Sequence, residues 1–355
     1  MRALIDAYWL VDGPPSGMGV LRNMLRAWNQ SFPEDELVLV VPVSKVDAAQ
    51  RLGFRAVVIP SRFRLHPLIN WTTVARLDAR DEFDIVLAHN FAVPRPGSTV
   101  LLHDVIFQSN PEWFTRAERL YLALATWSSR WARTVVTSSN TEATRIKALN
   151  RHIGDVTPIG LGFSTAFLPE APSESRPELT EDSYLLAVGR LNVRKNLGRI
   201  IEGALRSWLL SDAFPLVIVV ETSGKDVRLT DEARSAAARG EIIFLGFTPD
   251  PQLKWLYEHC RLMVFLSLDE GYGLPPLEAA TLGSRVLASD IAVMHEILGS
   301  HATFVDPTDT TAIARALKAV AAAPHAPATN AGPPPGAKPW SDVVSRLREG
   351  ARRNG

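Results

Sequence analysis

Cysteine is nearly absent from this chain. Of 355 residues only Cys260 is one, which excludes a disulfide framework and a cysteine metal site. It ends an apolar helical pattern and reads as a small core residue. Excess charge is missing too, since 38 basic and 38 acidic residues cancel. The halves differ little, with 18 basic and 15 acidic residues up to position 165 and 20 and 23 after it. Such a balance builds no polycationic face for a phosphate backbone, so nucleic acid is not an expected partner. No apolar run reaches the ~18 residues of a membrane span, and "MRALIDAYWLVDGPP" lacks the apolar core of a signal peptide. The expectation is a soluble cytoplasmic protein.

What is present is 46% apolar and 21% charged residues, a globular composition in a chain long enough for two domains. Short apolar runs such as "YLLAVG", "PLVIVV", "LMVFLS" and "RVLAS" alternate with segments of helical periodicity such as "NLGRIIEGALRSWLL". Continuous apolar strands between amphipathic helices mean a parallel sheet covered on both faces. The first half repeats this grammar, with strands "RALIDAY", "ELVLVVP", "FRAVVIP", "DIVLAHN", "STVLLHD" and "TVVTSS" and helices near 17–30, 67–81, 111–133 and 141–150. The expected fold is α/β: two doubly wound Rossmann-like domains, 1–166 and 184–322, joined by an aperiodic Pro/Ser/Glu-rich linker at 167–183. A Pro/Ala-rich tether opens the last segment, 323–355, which ends in a helix with Ser341 as its N-cap and Trp340, Val343, Val344 and Leu347 as an apolar side.

The densest chemistry lies in "SLDEGYGLPPLEAATLG", residues 267–283. A strand ends just before it, at the sheet edge where open α/β folds bind ligands. Pro275 and Pro276 suit a first helical turn, whose free N–H groups attract anions. Gly271 and Gly273 permit close backbone approach. Glu278, placed in that first turn, can accept hydrogen bonds from a vicinal diol, and Glu270 from hydroxyls at the ligand's other end. "VGRLNVRKN" puts Gly189, Arg190, Lys195 and Asn196 at the same edge. Arg and Lys there suit phosphate oxygens, Asn196 caps the next helix, and Arg194 reads as solvated.

Together "VGRLNVRKNLGRIIEGA", "LGFTPDPQLKWLY" and "SLDEGYGLPPLEAATLGSRVLASD" resemble the signature of glycosyltransferase family 4. That resemblance implies a GT-B fold of two facing Rossmann-like domains, a nucleotide-diphosphate sugar donor, retention of configuration and no metal or other cofactor. It assigns Arg190 and Lys195 to the donor diphosphate. It carries the paired glutamates onto Glu270, near the donor sugar, and Glu278, on the ribose. Tyr272 and Leu274 fall within the same donor-binding turn. Where the family usually has a proline-containing step after Gly283, this chain has "SRV".

In the first half "PPSGMGVLRNML" looks like the family's Gly-rich loop, with Gly17 and Gly19 reaching the donor phosphate. The third glycine of a dinucleotide fingerprint is missing, which counts against a dehydrogenase. "VLLHDVIFQSNPEWF" looks like its His-Asp segment, with His103 at a strand end facing the donor sugar and Asp104 a loop or cap residue. His89 has no assigned role. The acceptor is expected to be a glycan, a lipid-linked molecule or a small molecule. The stretch 61–80 carries Arg62, Arg64, Arg76 and Arg80 and allows peripheral contact with the inner face of a membrane, although an ordinary solvated amphipathic helix explains it as well. Two other classes stay open: a nucleotide-sugar epimerase or hydrolase on this fold, and a non-catalytic module that binds a nucleotide sugar.

Overall fold

The computed structural model describes residues 1–164, 167, 170–190, 192–221, 229–323 and 333–351. Most of the expected tether, 324–332, lies outside them, as do linker positions 168 and 169. By internal packing the chain divides into Met1–Gly162 with Lys338–Gly355, and Phe163–Ala337.

The first unit holds seven strands: β1 Arg2–Asp6, β2 Glu36–Pro42, β3 Val57–Ser61, β4 Ile85–His89, β5 Thr99–Leu101, β6 Thr134–Thr137 and β7 Asp155–Pro158. All are parallel, in the order β3-β2-β1-β4-β5-β6-β7. β4 is buried at every position, which is why "DIVLAHN" reads as an unbroken apolar run. Strand order reverses between β1 and β4, so their carboxyl ends flank the crevice of a doubly wound sheet. The second unit repeats the plan with β8 Leu185–Arg190, β9 Leu216–Glu221, β10 Ile242–Leu245, β11 Leu262–Phe265, β12 Val286–Ser289 and β13 Ala302–Val305. Its order is β10-β9-β8-β11-β12-β13, with the reversal between β8 and β11.

Three helical expectations are corrected. The helix expected at 67–81 starts at His66, widens into a π-helical stretch at Ile69–Val74 and finishes as Ala75–Arg80. Within the wide turn the Asn70 amide donates to Asp6 Oδ2 and to the Phe91 carbonyl, at 2.9 and 2.8 Å. Arg62 and Arg64 precede this helix and are not part of it. The span 111–133 contracts to a helix at Arg116–Ser128, because Thr115 and Glu118 form a capping box that fixes its start. The terminal helix runs Trp340–Ala351, so Ser341 sits inside it and not at its cap.

That last helix packs on the first helix, Pro15–Ser31, within the first unit. Trp340, Val343, Val344 and Leu347 are all buried, which at ~1.5–3 kcal/mol per large apolar side chain accounts for the docking. Gly162 makes room for Trp340: a Cβ there would lie 2.5 Å from the indole Cγ. Arg348 adds an ion pair, with Nε 2.8 Å from Asp35 Oδ2 and Nη2 donating to Asp35 Oδ1 at 2.9 Å, and covers the Phe32 ring at 3.6 Å. Asp35 also accepts from the Trp28 indole and the chain's amino terminus. Cys260 is buried, as expected, with its thiol donating to the Tyr257 carbonyl.

Candidate active site

At the reversal point of the second unit, β8 and β11 present their carboxyl ends side by side. A cleft there is lined by Gly189, Arg190, Lys195, Phe265 and Ser267 among others. The loop after β8 is held by its asparagines. The Asn192 side chain accepts from the Lys195 N–H at 3.0 Å and shapes a short 3₁₀ turn, Val193–Lys195. Asn196 takes a left-handed conformation (φ 56°) that asparagine tolerates. Its side chain does not cap the following helix, contrary to expectation. Its amide donates instead to the Leu266 and Pro307 carbonyls, at 3.0 and 2.7 Å, and ties the loop to the end of β11.

Lys195 and Glu270 meet here, with Nζ to Oε1 at 2.5 Å. Arg194 completes the group, 3.5 Å from Glu270 Oε2, so its reading as a solvated residue is overturned. The 3₁₀ turn swings it inward, and its carbonyl accepts from the Leu268 N–H at 2.8 Å. Burial alone would raise the Glu270 carboxyl; Lys195 and Arg194 outweigh it and hold the group at about 2. Burial pulls the Lys195 ammonium down while Glu270 opposes it.

The turn that follows contains Gly273 at φ 105°, where any Cβ would also lie 2.5 Å from Met294 Cε, so glycine is required. Leu274 begins the helix Leu274–Thr281, with Pro275 in its first turn. Glu278 is therefore in the second turn, not the first, and the first turn holds no acid. Its carboxyl is buried and accepts a long hydrogen bond, 3.4 Å, from the Tyr257 hydroxyl. Burial, and then the charge of Asp250, push Glu278 up to about 8. Tyr272 is buried and its hydroxyl donates to the Gly336 carbonyl at 2.9 Å, anchoring the segment that returns to the first unit.

In the first unit the reversal point carries different groups. Asp6 ends β1 and accepts from His66 Nε2 at 2.6 Å, Asn70 Nδ2 at 2.9 Å and the His89 N–H at 3.1 Å. Burial would raise Asp6, but His66 and the hydrogen bonds bring it to about 2. The Trp9 ring lies among three imidazoles, 5.5 Å from His66, 6.3 Å from His89 and 5.7 Å from His103. Burial lowers both His103 and His89, the latter to about 3. Among the described residues His66 Nδ1, both ring nitrogens of His89 and His103 Nε2 are buried without a hydrogen-bond partner. His103 follows β5 by two residues, and Asp104 accepts from the Ile106 N–H as a local turn residue. Gly17 and Gly19 are not in a loop: the helix begins at Pro15, and both fall within its first turns. Gly17 backs onto Trp9, where a Cβ would lie 2.6 Å from Cε3, whereas nothing lies within 4 Å of a Cβ at Gly19.

Residues 171–329 match the family model described as glycosyl transferases group 1. The matched span lies within the second unit. Relatives include O-antigen chain mannosyltransferase B of Escherichia coli, 28% identical over 238 residues, which are 63% of this chain and 61% of that protein. The chain thus matches less than two thirds of that relative's length. O-antigen chain mannosyltransferase RfbU of Salmonella typhimurium is 25% identical over 293 residues, 79% of this chain and 80% of the relative. Among solved structures, Anabaena HepE in complex with UDP-glucose superposes with a TM-score of 0.65 at 17% identity, covering 98% of this chain and 95% of that one. At that identity the likeness shows the fold alone, which is GT-B.

The second unit thus gathers Arg190, Lys195 and Glu270 at one sheet edge, with Gly271, Gly273 and Leu274 in the turn beside them. Sequence reading missed Arg194 and Tyr257 here, and Asp6, His66 and Trp9 in the first unit. His66 stood in a stretch read only for its arginines. Asp6 carried one signal, a carboxylate closing the apolar run Ala3, Leu4 and Ile5.

Proposed function

We propose that this protein is a retaining family 4 glycosyltransferase that moves a hexose from a nucleotide diphosphate to an acceptor hydroxyl without a metal. The observation that carries the reading is the Arg190–Lys195–Glu270 grouping at the reversal point of a group 1 domain. Arg190 and Lys195 would bind the diphosphate, and the Gly271–Leu274 backbone would approach it. Glu270, once Lys195 turns to the phosphate, would accept sugar hydroxyls. Glu278 would take the ribose diol as it loses its proton. His103 would face the sugar, and Gly17 and Gly19 would lie near the phosphates. In a front-face displacement the bond from C1 to the phosphate oxygen breaks as the bond to the acceptor oxygen forms on the same face. The acceptor proton passes to the departing phosphate. The enzyme's share is positioning and stabilisation of diphosphate charge. The names of two relatives make mannose the first sugar to try and a glycan or lipid-linked glycan the first acceptor.

Calorimetric titration with UDP, GDP, dTDP and ADP in the presence of EDTA tests the donor site. Binding of one nucleotide well ahead of the rest is expected, and that nucleotide's mannose and glucose esters then enter transfer assays with anomeric analysis of the product. No binding by any nucleotide sinks the assignment; an inverted product removes the front-face mechanism.

A further inference from the structure

The helix Arg116–Ser128 does not oppose its buried side with a polar one. Ala125, Thr126 and Ser128 are buried, so water should meet charged residues opposite them. Instead Ala117, Leu120, Tyr121 and Trp127 follow one another at helical spacing on the outer side. Leu120 is 71% exposed, Trp127 45% and Tyr121 39%. Arg116 and Arg130 stand at the two ends of this stripe, and the Arg130 guanidinium lies 4.0 Å from the Trp127 ring centroid.

The neighbouring loop extends the same surface. Leu65, 62% exposed, sits beside exposed Arg62 and Arg64. Ring contacts fix the adjacency: Trp71 lies 6.2 Å from Trp127, and Phe91 lies 5.0 Å from His66 and 5.1 Å from Tyr121. Exposed acids near this surface include Glu112, Glu118 and Asp12; Glu118 is engaged by Thr115 in the capping box and Asp12 by Lys45 at 2.8 Å. Four exposed arginines around leucine, tyrosine and tryptophan match the boundary between water and an anionic lipid layer, where aromatic rings sit at headgroup depth and arginines meet phosphate. A second copy of the chain would bring the same arginines against one another, which disfavours that occupant.

We propose that this face docks on an anionic lipid surface, with Leu65, Leu120, Tyr121 and Trp127 entering the headgroup boundary and Arg62, Arg64, Arg116 and Arg130 on lipid phosphates. The membrane contact that the stretch 61–80 allows thus keeps Arg62 and Arg64 and extends to the helix Arg116–Ser128. Among the described residues no helix is long and apolar enough to cross a membrane, so the contact is peripheral. The inference stands independently of the transfer chemistry, and its test does not use turnover.

Full-length protein is floated with vesicles of phosphatidylcholine alone or with about one third phosphatidylglycerol. Binding to the anionic vesicles only, with a blue shift of tryptophan emission and release by high salt, is expected. Leu65→Glu/Leu120→Glu, both on exposed carbons, should weaken that binding about tenfold or more with an unchanged melting temperature. Arg116→Glu/Arg130→Glu should do the same through charge. Absence of binding to anionic vesicles overturns the proposal, as does equal binding by the leucine variant. Self-association in ultracentrifugation that the leucine variant abolishes would assign the face to a second copy instead.

Discussion

The two reversal points hold charge in opposite ways. In the second unit cations and a carboxylate satisfy one another, Lys195 and Arg194 on Glu270. In the first a single carboxylate, Asp6, is buried among imidazoles, and burial keeps His89 and His103 neutral. A paired cation can exchange its partner for a ligand phosphate at modest electrostatic cost, and the exchange frees a carboxylate for hydroxyls. Neutral imidazoles can bond an uncharged hydroxyl without moving any charge. On the proposed function, the ionic ligand falls to the second unit and a polyhydroxyl one to the first.

The largest effect that tests this contrast is on turnover. Lys195→Ala removes the mobile cation and leaves Glu270 without its closest partner, and kcat/KM with a nucleotide sugar should fall about 100- to 1,000-fold. His89→Ala removes neutral hydrogen-bonding capacity, and a loss of about tenfold is expected. Steady-state kinetics of both variants decide the matter. Equal losses would erase the distinction between an ionic and a neutral site.

Acid and base stability sharpen it next. Glu278 has a folded pKa of about 8 against 4.5 unfolded, so the folded protein holds a proton the unfolded chain releases. Its contribution is full below pH 4.5 and is lost as pH rises towards 8. His89 has the opposite sense: at about 3 against 6.5, the unfolded chain takes up the proton first, and stability is lost as pH falls from 6.5 towards 3. Asp6, at about 2 against 3.8, adds to the acid loss lower down. Thermal unfolding between pH 4 and 9 should therefore show Glu278→Gln gaining on the parent by about 2 kcal/mol from pH 6 to 8, with matching acid limbs. Parallel curves on the alkaline side would mean that Glu278 is ionised in the folded protein.

The sequence revealed the second site better than the first for a geometric reason. Glu270 and Glu278 lie on one strand-turn-helix, and Arg190 and Lys195 on another, so spacing along the chain carries the motif. Asp6, His66, His89 and His103 come from four separate segments and meet only because β1 and β4 are neighbours in the sheet. No spacing announces that. Apolar strand runs revealed both sheets because their strands are buried on two faces. Helix starts were read less well: an early turn at Leu274 moved Glu278 out of the first turn, and a start at Pro15 took Gly17 and Gly19 out of a loop. The apolar side of Trp340–Ala351 was legible, but not what it covers, since the receiving helix lies at the other end of the chain.

The smallest effect separates two glycines that the sequence treats alike. Both are helical, where alanine should gain ~0.5–1 kcal/mol over glycine. At Gly19 nothing lies within 4 Å of a Cβ, so Gly19→Ala should show that gain in melting temperature. At Gly17 the methyl would lie 2.6 Å from Trp9 Cε3, and forcing the indole aside costs ~1–3 kcal/mol, leaving a net loss of about 1 kcal/mol. Activity then tells the two roles apart. If Gly19 serves close approach to a phosphate, Gly19→Ala will be more stable yet weaker in nucleotide binding. If Gly17 serves only to seat Trp9 over the imidazoles, Gly17→Ala will keep nucleotide affinity and raise the acceptor KM. A loss of nucleotide affinity in Gly17→Ala with none in Gly19→Ala would reverse the assignment and place the phosphate beside Trp9.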